Sequence, residues 1–534
     1  MKKNDIFQGT CIDYTEDGLG VVRQDSFVWF VKGLLKDETA EIRAISLKKN
    51  YGYGKVEKIL VSSENRRTPP CPVYPKCGGC QIMHMNYEEQ LSFKQKLVEN
   101  AIRNIAKLNV EVQPILKADD ELHYRNKVQI PLQIKDGRVC GGFYRTYSND
   151  VVEMDACLLQ SDLANEVYQK ALKLTEKYGF ADKVRHILIR HGFRSNEIML
   201  VMIVREKKVR GIELFTEEIC RDFKEIRTVV MNVNLRNDNV ILGDSNTVLY
   251  GEGYIEDILL NRKFRISANS FYQINPAQTE KLYSAAISAA NLDKEDCIAD
   301  VYGGIGTIGI CASAYVKKVY GVEIVEEAVK DARINSRINH IENTHYEVGD
   351  AGKAVDSWNS QNIHIDVAFI DPPRKGCDEL TIQSLVKLQP RKIVYVSCNP
   401  ATLARDLRKF EELGYTTQSV QPVDMFPNTR HVETVVQLSK GNISSQNVRV
   451  EFSLEDMDMS RFQQGATYEQ IQEWVQEKYG FHVTHLNIAK TKRKCGITER
   501  INYNLPKSEN SKSPGTPKEK EEAIIDAFRH FQMF

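Results

Sequence analysis

A cysteine stands directly after a short apolar run in the second half of the chain. The run at 393–397 contains two valines and predicts a buried strand, which Cys398, Asn399 and Pro400 end before a helical pattern begins near Thr402. Open α/β sheets bind ligands at the carboxyl ends of their strands, where this thiol would lie. Most free cysteines are instead small buried core residues. At this point Cys398 could therefore be either a nucleophile or a core residue.

Three further cysteines lie close together near the start of the chain. Cys71, Cys77 and Cys80 have the spacing C-x5-C-x2-C. Zinc and iron–sulfur cubes are both usually held by four groups, so a fourth ligand is needed. Cys157 is the candidate, with Cys140 in reserve. Clustered cysteines in a cytosolic protein indicate a metal site, but the spacing alone leaves zinc and an iron–sulfur cluster open.

A glycine-rich turn at 303–307 follows another predicted strand. The strand after it ends at Glu323, whose carboxylate can bind ribose hydroxyls. Since residues 304–309 also fit G-x-G-x-x-G, the turn itself does not exclude NAD. Asp300 before the turn, Asp371 at the end of a later strand and a strand-end cysteine, which hydride transfer does not need, favour S-adenosylmethionine as the ligand.

A thiol, a methyl donor and a carboxylate are the groups that methylation of uracil at C5 requires. C5 is a poor nucleophile until a thiolate adds to C6, and the methylated adduct must then lose its C5 proton to a base. Cys398 offers the thiol, and Glu433, which opens a later strand, offers the base. His431 is a rival base, and an ordinary edge carboxylate is the alternative role for Glu433.

Length and composition limit the number of domains, the kinds of partner and the cellular location of the protein. The chain has 534 residues, enough for three or four domains, and its 72 basic and 72 acidic residues give a net charge of zero, so a basic patch for a polyanion must be local. No run approaches the ~20 apolar residues of a membrane span, and the start lacks an apolar signal core. We therefore expect a cytoplasmic protein whose 12 cysteines are thiols or metal ligands.

The pattern along the chain predicts four segments. Short strands broken by glycine turns at 1–62 predict a small β-barrel of the kind that holds single-stranded nucleic acid. Residues 63–270, which begin with a linker-like stretch at 66–70, predict a β-rich central domain, and helix–strand alternation at 271–440 predicts a doubly wound, Rossmann-like α/β domain. Residues 441–534 form an extension that is partly basic and partly flexible. The strands expected in the central domain lie at 187–190, 198–204, 228–234 and 240–242.

Five motifs, taken in order, resemble those of the bacterial RNA uracil-5-methyltransferases. They are F-Y-Q-I-N at 271–275, D-V-Y-G-G-I-G at 300–306, D-P-P-R at 371–374, S-C-N-P at 397–400 and H-V-E at 431–433. The resemblance runs from the amino-terminal barrel, which is similar to a TRAM domain, to about residue 440. Tyr302 and Thr307 depart from the family pattern, which often has phenylalanine and asparagine there, but neither departure touches the chemistry.

The resemblance implies a role for each group of residues. It implies a 4Fe–4S cluster held by Cys71, Cys77, Cys80 and Cys157, with Cys398 as nucleophile and Glu433 as proton-abstracting base. The positions that match the family's donor-binding residues are Gln273, Tyr302, Glu323, Asp371, Thr307 and Asp350. Phe271 could stack on a uracil turned out of the RNA.

The resemblance also implies the partners. A barrel together with a cluster is similar to the members that act on 23S ribosomal RNA, so that RNA is the expected substrate, without a membrane and without an obligate protein partner. Three alternatives stay open: a tRNA uracil-5-methyltransferase, a cytosine-5 RNA methyltransferase, and a non-catalytic ribosome-assembly protein that binds RNA. The extension contains a local basic cluster, which could contact RNA or serve solubility and consists of Lys490, Lys492, Arg493, Lys494 and Arg500.

Overall fold

The computed structural model describes residues 1–24, 26–74, 76–441, 468–495 and 517–531. The chain divides into two compact units, residues 1–443 and 444–534. No helix within the described ranges is both long and apolar enough to cross a bilayer.

The amino-terminal strands close into a small barrel, as predicted. The strands are β1 (Ile6–Tyr14), β2 (Gly20–Gln24), β3 (Phe27–Lys32), β4 (Thr39–Leu47) and β5 (Tyr51–Val61), in the order β1-β2-β3-β5-β4. Side chains alternate between the two faces, so Trp29, Val31 and Ile42 fill the interior. Gly52 faces Trp29 so closely that a Cβ atom would lie 2.5 Å from the indole ring, which explains the glycine at this position.

The central segment forms a mixed sheet of seven strands in the order β12-β11-β10-β9-β6-β7-β8, which confirms the predicted β-rich domain. Its elements are β6 (Lys127–Lys135), β7 (Arg138–Tyr144), β8 (Val151–Glu153), α2 (Asp162–Lys177), β9 (Val184–Gly192), β10 (Glu197–Val204), α3 (Ile212–Asp222), β11 (Ile226–Val233) and β12 (Ser245–Tyr250), with a short 3₁₀ turn at Ala181–Lys183. Helices α2 and α3 share one apolar core with this sheet. A two-stranded ribbon, β13 (Tyr254–Leu259) and β14 (Arg262–Ser267), follows.

One predicted strand of the central domain, at 240–242, is wrong. The strand in this region is β12, which begins at Ser245. The amide of Asn234 donates hydrogen bonds to the carbonyl oxygens of Val240 and Ile241, at 2.7 and 2.9 Å. A side chain therefore takes up the backbone acceptors that a strand ladder would otherwise use.

The third part is the predicted doubly wound sheet. Its elements are α4 (Pro276–Ala290), β15 (Cys297–Val301), α5 (Thr307–Ala312), β16 (Lys318–Glu323), α6 (Glu326–Ile338), β17 (Thr344–Val348), α7 (Ala351–Ser360), β18 (Val367–Ile370), α8 (Glu379–Leu388), β19 (Lys392–Ser397), α9 (Pro400–Glu412), β20 (Tyr415–Val423) and β21 (Glu433–Lys440), with a 3₁₀ turn at Ser313–Tyr315. The strand order is β17-β16-β15-β18-β19-β21-β20, parallel except for β21, which is antiparallel to both neighbours. The chain order reverses between β15 and β18, which is where such sheets bind ligands.

Helix α1 (Tyr87–Ala101), which continues as a π-helical turn at Ile102–Ala106, packs on this sheet although it precedes the central domain in sequence. The Lys94 ammonium lies 2.5 Å from the Asp424 carboxylate, and both side chains are fully buried. Lys94 also donates to the carbonyl oxygen of Phe426, and Tyr87 donates to Asp424. The helix therefore anchors the segment that leads from β20 to β21.

The predicted linker at 66–70 forms polar contacts with two different parts of the structure. The Arg66 guanidinium binds the buried carboxylate of Glu38 in the barrel. Arg67 binds Glu121 at 2.6 Å and the side chain of Asn428 at 2.7 Å. Since Asn428 lies between β20 and β21, ion pairs and hydrogen bonds join the barrel, through this stretch, to the doubly wound sheet.

The carboxy-terminal unit contains α10 (Tyr468–Tyr479), α11 (His485–Lys494) and α12 (Lys518–His530) around a small apolar core. Two residues of the predicted basic cluster have partners inside this unit: Lys492 lies over the Tyr468 ring at 4.7 Å, and Lys494 pairs with Glu521 at 2.7 Å. Arg500 and nearly all of the segment predicted to be flexible at 506–517 lie outside the described residues.

We predict that Lys94→Met destabilises the unit of residues 1–443 by about 3–5 kcal/mol, because it leaves the buried Asp424 carboxylate without its cation. Urea denaturation of the full chain measures the shift. Lys96→Met, an exposed lysine on the same helix, is the matched control and should change stability by less than about 0.5 kcal/mol. Equal effects of the two substitutions would contradict the role given to the buried pair.

Candidate active site

The two residues predicted to carry the chemistry lie side by side at one edge of the sheet. Strands β19 and β21 pair antiparallel, and their last pair is Ser397 with Thr434. Extending this register by one residue places Cys398 beside Glu433. Directly opposed residues on paired strands have Cβ atoms about 5 Å apart. The thiol is half-buried and the carboxylate is buried, with 3% of its surface exposed.

Hydrogen bonds hold the loop that presents the thiol. The side chain of Asn399 accepts from the backbone N–H of Ala401 at 3.0 Å and so caps helix α9, whose first residue is Pro400. The Thr402 hydroxyl donates to the carbonyl oxygen of Arg374 at 3.1 Å. The residue types around Cys398 therefore follow from the local structure. Strand β19 ends here, helix α9 begins with an asparagine cap and a proline, and a hydrogen bond joins the helix start to the loop of Arg374.

The positive charge near Cys398 and Glu433 does not offset the effect of burial on their pKa values. Burial raises the pKa of the Cys398 thiol to about 11, and the carboxylates of Glu433 and Asp371 add to this increase. Burial raises the pKa of Glu433 to about 8, again with a contribution from Asp371. The Arg374 guanidinium acts in the opposite direction on both groups. The thiol and the carboxyl group are therefore both largely protonated at neutral pH.

His431, the rival base, is half-buried two residues before Glu433. Burial, followed by the charge of Arg374, lowers the pKa of the imidazole to about 4. Its ring meets the Phe426 ring edge-on at 6.3 Å between centroids. The imidazole is thus neutral at neutral pH and is a weak base, which favours Glu433 for proton abstraction.

The glycine-rich turn lies between β15 and α5. Gly304 and Gly306 have φ of 55° and 83°, and Tyr302 has φ of 64°, which is uncommon for a residue other than glycine. The backbone N–H of Gly304 donates to the Glu323 carboxylate at 3.2 Å. The Asp300 carboxylate accepts from the N–H of Gly309 at 2.9 Å, and burial raises its pKa to about 6. The strand-end carboxylates therefore fix the shape of the turn.

A cavity of about 330 Å³, counting its open mouth, lies between this turn and the segment at 271–273. Four of the six predicted donor-binding residues line it: Gln273, Tyr302, Thr307 and Asp371. Asp300 and Phe271 also contribute to the lining, and 61% of the Phe271 surface is exposed. Burial, together with the charge of Asp300, raises the pKa of Asp371 to about 7.

The two remaining predicted donor-binding residues do not line the cavity. Glu323 is adjacent to it through its hydrogen bond with Gly304. Asp350 is the N-cap of α7, where its side chain accepts from the N–H of Lys353 at 3.2 Å. The capping interaction is thus the role that the structure shows for the Asp350 side chain.

Two residues of the site had no predicted role. Tyr283, on the buried face of α4, lines the cavity and has its hydroxyl 3.1 Å from that of Thr307. No local pattern distinguishes it from a core aromatic residue. Arg374 is part of the quoted D-P-P-R motif, but only the fold shows that its charge acts on Cys398, Glu433 and His431 together.

The four cysteines predicted as ligands come together at a second place. Electrostatic interactions connect Cys71, Cys77, Cys80 and Cys157 in all six pairs, and each of the four is half-buried. The reserve candidate, Cys140, lies on β7 and interacts instead with Glu153 and Arg138. Among the described residues, no three His, Cys, Asp or Glu side chains are arranged to hold a metal ion.

An arginine accompanies these thiols. The charge of Arg125 acts on Cys77, Cys80 and Cys157. Its Nε atom is buried and has no hydrogen-bond partner within the described part of the chain. A half-buried cation with a buried, unused donor near three thiols is suited to an anionic group.

Comparison with known proteins identifies the family. The model of the family described as tRNA (Uracil-5-)-methyltransferase matches residues 86–441. An uncharacterized RNA methyltransferase of Bacillus cereus is 42% identical over 449 residues, covering 82% of this chain and 98% of the relative. Another uncharacterized RNA methyltransferase, from Halalkalibacterium halodurans, is 41% identical over 451 residues, covering 83% and 98%.

A solved structure has a similar fold. The tRNA (uracil-54, C5)-methyltransferase of Pyrococcus abyssi, crystallised with S-adenosyl-L-homocysteine, matches with a TM-score of 0.64 and 24% identity, covering 81% of this chain and all of that one. The family model covers well over half of the chain, and the two bacterial relatives match over almost their whole length. The chain therefore belongs to the tRNA (uracil-5-)-methyltransferase family of RNA methyltransferases.

Proposed function

We propose that this RNA methyltransferase transfers a methyl group from S-adenosylmethionine to C5 of a uridine in RNA, through a covalent bond between Cys398 and C6. The observation that supports this proposal is the register of β19 and β21, which sets a thiol and a buried carboxyl group side by side. Asp371 acts on both groups and also lines the cavity beside the glycine-rich turn. The nucleophile, the base and the proposed donor cavity are thus contiguous.

The residues of the chain account for each step on the uracil ring. The Cys398 thiolate, formed when the thiol loses its proton to solvent, adds to C6, and the electron pair of the C5–C6 double bond moves to C5 and O4, so that C5 becomes nucleophilic. S-adenosylmethionine, when bound, would supply the methyl group that C5 attacks, and its sulfur would keep the electrons of the broken S–CH3 bond and leave as S-adenosylhomocysteine. Glu433 then accepts the C5 proton, and the electrons of that C–H bond restore the C5–C6 double bond as the sulfur leaves. The uracil must leave its stack to reach Cys398, which is least costly in a loop.

Gln273, Tyr302, Thr307 and Asp371 are proposed to hold the donor, with Glu323 on its ribose. The first four line the cavity, and Glu323 shapes the turn at its edge. Asp350 is the least supported of the proposed donor residues, since it does not line the cavity and its side chain caps a helix.

We propose 23S ribosomal RNA as the substrate. The closed barrel and the four gathered thiols support this choice, since that combination resembles the members of the family that act on this RNA. A tRNA substrate and cytosine methylation are the competing outcomes, and both are decided by the identity and position of the methylated base.

We predict that Cys398→Ala abolishes 5-methyluridine formation and that Glu433→Gln accumulates a covalent protein–RNA adduct, because the methylated adduct cannot lose its C5 proton. Total RNA from cells lacking the protein, incubated with labelled donor, is the substrate. Denaturing gels detect the adduct, and mass analysis of mapped fragments identifies the base and the RNA.

Cys220→Ser, a half-buried cysteine on α3, is the matched control and should methylate normally. Turnover in both active-site variants would refute the mechanism. Methylcytosine, or label confined to tRNA, would refute the proposed base or the proposed RNA. Tight RNA binding by the wild-type protein without any transfer would indicate a non-catalytic role.

We predict that the single-turnover rate of C5 proton release rises at least about tenfold from pH 7 to pH 9, because the Glu433 carboxyl group and the Cys398 thiol, with pKa values of about 8 and about 11, both lose protons as the pH rises. Only the deprotonated carboxylate can accept the proton, and burial raises the pKa of Glu433 to about 8, so the active form increases as the pH rises through that value. Release of tritium from C5-labelled uridine RNA measures the rate. His431→Gln should leave the shape of the profile unchanged, because the pKa of His431 is about 4. A flat profile would contradict this assignment.

We further propose that Cys71, Cys77, Cys80 and Cys157 hold a 4Fe–4S cluster. Such a cube takes one thiolate on each iron, and its resting form with four thiolates carries a net charge of about −2. Within the described residues, the four thiols act on one another electrostatically without being arranged around a metal ion, and the unused Nε donor of Arg125 fits an anionic group of this kind. The cluster's proposed role is structural.

Anaerobically purified protein should contain about four iron atoms per chain and absorb visible light near the blue end of the spectrum. Cys77→Ser should lower the iron content, because it removes one thiolate ligand. Cys140→Ser, which alters the reserve cysteine away from the four thiols, is the matched control and should retain the iron. Stoichiometric zinc without iron would refute the cluster.

A further inference from the structure

A buried carboxylate on helix α9 contacts the loop that carries Arg374. Asp406 is fully buried, and both oxygens of its carboxylate accept hydrogen bonds. The donors are the hydroxyl of Tyr395 and the backbone N–H of Cys377, each at 2.8 Å, and the Nε and Nη2 atoms of Arg405, at 2.8 and 2.6 Å. Bonds to both oxygens, two of them from one planar guanidinium, fix the orientation of the carboxylate.

These bonds connect three elements that lie next to Cys398. Tyr395 belongs to β19, the strand that ends at Ser397, directly before the thiol. Cys377 belongs to the loop between β18 and α8, which also contains the D-P-P-R motif. Asp406 itself lies on α9, the helix that follows the thiol. One carboxylate therefore ties the helix and the loop to the strand that presents the proposed nucleophile.

The arginine that pairs with this carboxylate binds the same loop. Nη2 of Arg405 donates to the carbonyl oxygen of Lys375 at 2.9 Å and to that of Cys377 at 3.4 Å. Gly376, between them, has φ of 79°, and a Cβ atom at this position would collide with the Asp406 carboxylate. The loop therefore approaches the ion pair so closely that glycine is required. We name Arg405 and Asp406 the loop clamp.

Arg374 depends on the backbone of this loop for its position. Its side chain is exposed and forms no ion pair or hydrogen bond with any residue that the structure describes. Its carbonyl oxygen accepts from the Thr402 hydroxyl at the start of α9. Its charge lowers the pKa of the Cys398 thiol, which the carboxylates of Glu433 and Asp371 raise. The contacts that hold the loop are therefore the contacts that keep this cation near the thiol.

We infer that the two residues of the loop clamp are positioning residues, which hold the loop between β18 and α8 so that the Arg374 guanidinium stays near Cys398 and Glu433. This inference rests on the proposed role of Cys398 as the nucleophile. Without the clamp, the unpartnered guanidinium would move into solvent, where water and salt screen its charge. The thiol would then lose the positive charge that stabilises its ionised form.

The test is the rate at which iodoacetamide alkylates Cys398 in the full-length protein at pH 9, measured by mass analysis of the peptide that contains this cysteine. Arg374→Gln should lower the rate about threefold, because a higher thiol pKa leaves less thiolate, although the remaining thiolate is more nucleophilic. Asp406→Asn should lower it to the same extent. Arg408→Gln, which alters an arginine of the same helix paired with Glu412, is the matched control and should stay within about 1.5-fold of wild type.

The double variant Arg374→Gln with Asp406→Asn separates positioning from general damage. If the clamp acts through Arg374, the double variant should also be slower by about threefold, whereas two independent effects would multiply to about ninefold. The direction of the change is informative as well. Removal of the Asp406 charge by itself would favour the thiolate, and a loosened loop would expose it, so both side effects would raise the rate of alkylation.

An unchanged or faster rate in Arg374→Gln or in Asp406→Asn would overturn the inference, as would multiplied effects in the double variant. If Asp406→Asn does not fold, Arg405→Gln decides by the same criteria, because that side chain is exposed and its loss leaves two donors on Asp406. Alkylation needs neither RNA nor methyl donor, so the two proposals fail separately. Wild-type protein that methylates no uridine, with variants that show these rate changes, would refute the proposed function and keep the clamp.

Discussion

The antiparallel pairing of β21 with β19 is the constraint on which the active site depends. Every other strand next to β19 or β15 in this sheet is parallel, and parallel strands all bring their carboxyl ends to one edge. Because β21 runs the other way, its first residue, Glu433, reaches that same edge. A carboxyl group that begins a strand thereby meets a thiol that follows one. A shift of this register by one residue would turn Glu433 to the opposite face of the sheet.

Buried carboxyl groups determine the electrostatic character of this edge. Asp300, Asp371 and Glu433 all have raised pKa values because burial disfavours their charged forms. Arg374 favours the ionised forms of Glu433 and Cys398 and disfavours protonation of His431. The environment therefore separates the roles of two neighbouring groups: Glu433 titrates close to neutral pH, whereas His431 remains neutral and is not a competent base there.

Contacts from distant parts of the chain hold the segment that precedes Glu433. Helix α1 binds Asp424 through Lys94, and Arg67 binds Asn428 while its neighbour Arg66 binds Glu38 of the barrel. The barrel, α1 and the catalytic sheet are thus joined by buried polar interactions around one loop. Such networks are costly to leave half-made, so they favour a single arrangement of the parts they connect. The same loop leads to Glu433, the proposed base.

The sequence by itself determined the class of the fold and most of the site. Apolar runs, glycine turns and the order of the motifs predicted the barrel, the β-rich domain and the doubly wound sheet, because periodicity and turn chemistry are local properties. The positions of Cys398 and Glu433 at strand ends were predictable because strand ends can be located from such patterns. The helix cap at Asp350 and the hydrogen bonds from Asn234 to Val240 and Ile241 are local contacts that the sequence patterns did not predict. Tertiary structure alone decided that the stretch at 66–70 is bonded on both sides. It also decided the charge acting from Arg374 and the gathering of Cys157 with three thiols about eighty residues away. These features depend on burial and on contacts between segments far apart in the chain, which no local pattern contains.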